Sequence, residues 1–213
     1  MDEKPKKSPL LPIIIVIVIV VGVGIGAYFF MQGSEETDTN ANTNQTAENR
    51  YKADTFSIVQ PTGWEQVSLQ GALVAFNDPG DTYPEGSIEA VNQFKSYMAV
   101  VFDNMHEQSL DELIKMTKDA TLQANPSVTF AETTEETIDG QTAKIIEGQV
   151  TQQDTNFKII MAFIAKGDRY FVITGNTSAE KWDSYQDTFY QVIRSFQFEY
   201  EVETDTNTDN TNQ

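Results

Sequence analysis

From residue 10 to residue 31 the chain runs for 22 residues without a charge, nine of them an unbroken Ile/Val stretch at 13–21. A helix of that length spans about 33 Å, which matches a bilayer hydrocarbon core of about 30 Å. An evenly apolar helix has no polar face to offer water, so this segment is expected to lie in a membrane. Lys4, Lys6 and Lys7 precede it, and Glu35, Glu36 and Asp38 follow it. The positive-inside rule then places the N-terminus in the cytoplasm and everything after Met31 outside. A cleaved signal peptide would have an apolar core of about 7–15 residues ending in small residues. Here the core is longer, and Gly24, Gly26 and Ala27 are followed by Tyr28, Phe29, Phe30 and Met31, so an uncleaved signal anchor is expected. Gly22 and Gly26 form a G-x-x-x-G pair that would let two such helices approach closely, giving a weak homodimer.

The remainder divides by composition. Residues 1–9 form a short basic cytoplasmic tail, 10–31 the transmembrane helix, and 32–50 a linker of Ser, Thr, Asn, Asp, Glu and Gln. A segment so poor in apolar side chains cannot offset its ordering entropy, and the same holds for the tail 201–213. Between them, residues 51–200 hold nearly all the aromatics and have the size of one domain. With 32 acidic against 14 basic residues the chain carries a net charge of −18, which repels phosphate backbones and argues against nucleic acid as a partner. Zero cysteines exclude disulfides, thiolate metal sites, cysteine nucleophiles and a lipoprotein anchor, and a single histidine excludes a two-histidine metal motif.

Within 51–200 the apolar spacing separates strands from helices. Residues 157–165 (FKIIMAFIA), 169–174 (RYFVIT) and 96–102 (SYMAVVF) are apolar on both faces, as strands covered on both sides are. Residues 143–150 and 128–134 are only partly apolar and suit outer positions. Asp139-Gly140 signals a tight turn, and 154–156 a second hairpin. Ser109 with Glu112 predicts a capping box and a helix ending at Asn125-Pro126. Thr177 with Glu180 predicts another, leading into the stripe Trp182, Tyr185, Phe189, Val192, Ile193 and Phe196. A short strand closes the block at 196–200. The expected class is α+β: a mainly antiparallel sheet with helices against it, preceded by one transmembrane helix.

Three stretches also resemble a known family. The opening FSIVQPTGW at 56–64 is similar to the strand–Pro–Gly–Trp start of PsbP-like domains. IDGQTA at 138–143 resembles the family's hairpin. YFVIT at 170–174, a helix with spaced aromatics and IRSFQF at 193–198 resemble its ending. The resemblance covers roughly residues 51–200 and implies an α/β/α sandwich around an antiparallel sheet. Plant members sit on the lumenal side of photosystem II and support the oxygen-evolving centre, a related eukaryotic fold binds a small nuclear GTPase, and bacterial relatives are often membrane-attached. What unites them is binding without catalysis. The anchor departs from the cleaved transit sequence of the plant proteins, and nothing in the chain indicates photosynthesis, so the photosystem's calcium and manganese roles are not carried over.

His106 is the only imidazole available to a Ser–His–Asp triad; it stands three residues before a helix cap and reads as a solvated loop residue. Asp205, Asn207 and Asp209, like Asp38, Asn40 and Asn42, have the alternation of a calcium loop without its closing glutamate. The sequence Asp78-Pro79-Gly80-Asp81-Thr82-Tyr83-Pro84-Glu85-Gly86 is longer than a hairpin needs. Asp78 and Asp81 are its weak metal candidates, and Asp78, Asp81, Tyr83 and Glu85 its candidates for partner contact. Asn44 and Asn176 stand in glycosylation sequons. No cofactor is expected. The leading expectation is a non-enzymatic accessory module held outside a bacterial plasma membrane and docking on an extracytoplasmic protein. The alternatives are a small-molecule or lipid carrier with a pocket between sheet and helices, and a hydrolase using Asp78, Asp81 and Asp103.

Overall fold

The computed structural model describes residues 49–200. The transmembrane segment with Gly22 and Gly26, the cytoplasmic tail, most of the linker with Asn44, both calcium-like stretches and the C-terminal tail lie outside the described residues. Among the described residues no helix is long and apolar enough to cross a membrane.

Eleven strands and three helices are described. β1 (Arg50–Lys52), β2 (Phe56–Val59), β3 (Glu65–Val67) and β4 (Val74–Asn77) are followed by the short helix α1 (Ile88–Val91). β5 (Tyr97–Asn104) leads to α2 (Leu110–Ala124), β6 (Thr129–Phe130) and β7 (Thr134–Ile138). The long strands β8 (Gln141–Gln152), β9 (Thr155–Lys166) and β10 (Arg169–Ser178) come next. A 3-10 turn (Ala179–Lys181), α3 (Trp182–Arg194) and β11 (Gln197–Phe198) complete the domain. Eight of the strands form one sheet, in order β3-β4-β5-β10-β9-β8-β6 with β7 also paired to β8. Every pairing is antiparallel. The strands read as two-sided, β5, β10 and β9, occupy the middle, and the partly apolar ones lie outward.

The period-2 reading of β9 accounts for the layering. Ile159, Met161 and Phe163 belong to one core with Leu113 and Ile114 of α2. Ile160, Ala162 and Ile164 belong to the opposite core with Trp182, Phe189, Val192 and Ile193 of α3. One helix on each face of an antiparallel sheet is the expected α+β arrangement. α2 starts as predicted: Ser109 Oγ accepts from the Glu112 amide at 3.3 Å, and a Glu112 oxygen accepts from the Ser109 amide at 2.8 Å. Asp139 and Gly140, with φ of 48° and 73°, form the turn between β7 and β8.

Two expectations are corrected. The second hairpin turns at Gln153 and Asp154, both at positive φ, and β9 already starts at Thr155. Thr177 does not cap a helix. It and Ser178 remain paired with Lys158 and Phe157 of β9, and the Thr177 hydroxyl is bonded to that of Ser96 at 2.7 Å. α3 therefore begins four residues later, from Lys181, with no side-chain cap. Asn176 of the second sequon is 1% exposed inside β10.

A second sheet of three strands, β1-β2-β11, was not anticipated. It carries Phe56 and Ile58 into the α3-side core, where Phe56 stacks on Phe196 with centroids 5.7 Å apart. Arg50 fastens this sheet to α3 by donating through Nη1 to the Ser195 carbonyl at 2.8 Å, at the negative end of the helix.

Candidate functional site

The 78–86 loop follows β4 and is drawn against the ends of β5 and β10. Asp81 lies at its centre, 2% exposed. Its Oδ2 accepts from the Ser96 amide at 2.7 Å, the Ser96 hydroxyl at 2.7 Å and the Tyr83 hydroxyl at 2.9 Å. Its Oδ1 pairs with Lys181 Nζ, reaching in from the 3-10 turn before α3. Because the Ser96 proton goes to Asp81, the 2.7 Å contact between Ser96 and Thr177 hydroxyls must have Thr177 as donor. Lys181 also donates to the Thr82 carbonyl at 2.6 Å and stands 4.0 Å from the Tyr83 ring centroid. From the other side Lys95 donates to the Asp81 and Pro79 carbonyls. Burial pushes the Asp81 carboxyl upward, but the Lys181, Ser96 and Tyr83 hydrogen bonds outweigh it and hold the group below its ordinary value.

Asp78 is committed in the same way. Its Oδ1 accepts from the Gly80 amide at 2.8 Å, and its Oδ2 from the Tyr185 hydroxyl of α3 at 2.7 Å. Burial and that carboxylate push the Tyr185 phenol well above its ordinary range. Tyr83 points its hydroxyl inward, and its ring lies 5.9 Å from that of Phe94. Glu85 is exposed at the loop tip. The loop is thus a latch: both aspartates spend their lone pairs holding it onto Ser96 before β5, Lys181 of the 3-10 turn and Tyr185 of α3. A metal at Asp81 would have to displace four donors that are already in place. Among the described residues no group of three or more His, Asp or Glu side chains is positioned to hold a metal ion.

Asp103 does not join Asp78 and Asp81. It lies near the far end of β5, seven residues from Ser96, which at a strand rise of about 3.3 Å is roughly 23 Å away. It faces His106 instead, at 3.7 Å, with the imidazole 60% exposed. The space between sheet and α3, where a carrier would hold cargo, is filled at Gly175 by the Phe189 ring.

Sequence reasoning singled out the loop but missed Ser96, Thr177 and Lys181, whose links to it cross 15 to 100 residues. The one available signal was Lys181, a lone cation immediately before an amphipathic stripe.

A second feature lies at the other end of α3. An open groove of about 840 Å³ runs between the last turn of α3 and the β1–β2 hairpin, with Gln60, Thr62, Trp64, Gln191 and Gln197 among its walls. Trp64 is placed there by a turn in which its amide donates to the Pro61 carbonyl at 3.1 Å. That turn needs Gly63 at φ +82°, a region costly for side chains with a Cβ. Trp64 then packs edge-on against Tyr185 and Phe189 of α3, at 5.9 and 6.3 Å.

This is the strand–Pro–Gly–Trp start of the resemblance, docked on the helix with spaced aromatics. The family model for PsbP matches residues 46–198. The chain belongs to the PsbP family. Among solved structures, CyanoP, the cyanobacterial PsbP of Synechocystis sp. PCC 6803, superposes with a TM-score of 0.55 at 17% identity, covering 76% of this chain and 98% of that one. LpqN of Mycobacterium tuberculosis, described as involved in cell envelope biogenesis, gives 0.55 at 7% identity, covering 67% of this chain and 82% of its own. At these identities the likeness is one of fold. No curated protein matches the chain.

Proposed function

We propose that this PsbP-family protein is a single-pass, N-in membrane protein whose domain acts on the extracytoplasmic side as a non-enzymatic accessory module, docking on a membrane or envelope protein. The observation that carries the non-enzymatic reading is the state of Asp81. The cluster richest in chemistry uses its carboxylate, both lysines and the Ser96 hydroxyl to hold a loop, leaving none of them poised as base or nucleophile. A general base must be within reach of a substrate proton, and this one is enclosed by its own donors. The anchoring is supported by the uncharged run at 10–31, the lysines before it and the acidic residues after it. The envelope setting is supported by the fold shared with LpqN.

Affinity capture of the full chain from detergent extracts, over several growth states, tests the reading. It is expected to recover the same membrane or envelope protein each time. Recovery of no specific protein in any growth state would refute it.

A further inference from the structure

We propose that the groove beside the last turn of α3 binds a neutral, polyhydroxylated chain: an oligosaccharide. The inference stands on the groove alone and does not depend on the docking partner or the anchor. At about 840 Å³ the groove is within the roughly 300–1,000 Å³ common for ligand sites.

The fixed charges at the groove balance, Arg50 and Arg194 against Asp139 and Glu136. Arg194 makes a two-pronged pair with Glu136 at 2.7 and 2.8 Å, and Asp139 Oδ2 accepts from the Phe198 amide at 2.9 Å. Arg50 is engaged on the Ser195 carbonyl. No net charge is left over to select an ion, and the exposed side chains without a hydrogen bond include uncharged amides and a hydroxyl.

Gln191, Gln197 and Thr62 line the groove, are exposed, and make no side-chain hydrogen bond among the described residues. Each amide offers donors and an acceptor at one site, and the hydroxyl offers both roles, which matches the paired donor–acceptor character of sugar hydroxyls. Trp64 adds an indole N–H. The residue is 8% exposed, its N–H has no acceptor among the described residues, and that nitrogen is not among the enclosed unpartnered atoms, so it is open to the groove.

An extended peptide fits less well. Strand addition needs a run of unpaired backbone edge, and the edge strands of this sheet, β1 and β11, are only three and two residues long. Of the apolar lining residues, Pro61, Val192 and Phe196 are buried and Val59 is half-buried, which leaves little hold for a side-chain anchor.

The test uses the full chain in a detergent without a sugar headgroup, titrated with cellohexaose and chitohexaose and followed by calorimetry. Hexagalacturonate serves as the charged control and a Gly/Ser heptapeptide as the peptide control. At least one neutral hexasaccharide should bind saturably, with hexagalacturonate and the peptide weaker. Gln191→Ala and Thr62→Ala should each weaken binding by roughly fivefold or more while the urea midpoint stays that of the parent, since both side chains are exposed. Three results would each overturn the proposal. They are no saturable binding of either neutral hexasaccharide up to about 1 mM, a level that corresponds to only about 4 kcal/mol; equal or tighter binding of the peptide or of hexagalacturonate; and neutral binding unchanged in both variants.

Discussion

Replacing Asp81 by alanine is expected to destabilise the domain by about 3 kcal/mol, close to the lower end of the roughly 3–5 kcal/mol observed when one partner of a buried ion pair is removed. The side chain of Asp81 is fully enclosed, and its removal strands the Ser96 amide and hydroxyl and the Tyr83 hydroxyl without an acceptor. Each such buried orphan costs about 1–3 kcal/mol. Lys181 contributes less to the penalty because its side chain is 30% exposed and its ammonium can turn to water. Urea unfolding followed by tryptophan fluorescence reads the change, since Trp64 and Trp182 are both in the α3-side core.

The same carboxylate makes the effect depend on pH. Its folded value is held below the ordinary 3.8, so its contribution is fully present above that pH and is lost as pH falls through the folded value. The stability gap between parent and Asp81→Ala should therefore be constant near neutrality and narrow below about pH 4. A gap that widens on acidification would mean that Asp81 is neutral in the folded protein, and the latch as described would be wrong.

Substituting Gly175 is the second large effect. A Cβ there would stand 2.9 Å from two carbons of the Phe189 ring and 3.0 Å from Ile160 Cγ2. Phe189 cannot retreat, because it is buried with Trp64, Trp182 and Tyr185 all around it. Gly→Ala in an unstrained strand would gain something from the reduced freedom of the unfolded chain, about 0.4–1 kcal/mol. Overpacking of a closed core costs about 1–3 kcal/mol and reverses the sign. Gly175→Ala is thus expected to lower stability by about 2 kcal/mol, and Gly175→Val by more. Gly148 provides the contrast. Its Cβ would also meet a ring at 2.9 Å, but that ring is Phe130, only half buried at the sheet margin and able to swing outward, while buried Ile159 Cγ1, at 3.1 Å, need give only a few tenths of an ångström. Gly148→Ala should cost less than about 1 kcal/mol, and equal losses at the two glycines would contradict the packing described.

Gly175 also marks the limit of what the sequence discloses. The alternation of β9, the Ser109 capping box and the aromatic stripe of α3 are local patterns, and each forms as read. That Phe189 lands on a glycine in β10 depends on where α3 crosses the sheet, which no local period encodes. The Thr177 capping box failed because its residues were claimed by strand pairing with β9, a tertiary contact stronger than a local cap. The three-stranded sheet was hidden for a related reason. β1, β2 and β11 are two to four residues long, and β2 pairs with β11 about 140 positions away. The 78–86 loop was visible through its composition, but that its aspartates face protein donors and not water was decided by Ser96, Lys181 and Tyr185, 15 to 107 residues away in sequence. The Pro-Gly-Trp turn was legible because Gly63 and Trp64 sit together in one short motif.

The proposed accessory role depends on the domain being held outside the membrane. The chain has no cysteine, so single cysteines report position without background. In intact cells a membrane-impermeant maleimide is expected to label Ser34→Cys, just after the apolar run, and Thr62→Cys in the domain, but to label Ser8→Cys only after the membrane is opened. Labelling of Ser8→Cys in intact cells, with Ser34→Cys and Thr62→Cys protected, would reverse the topology and contradict the account.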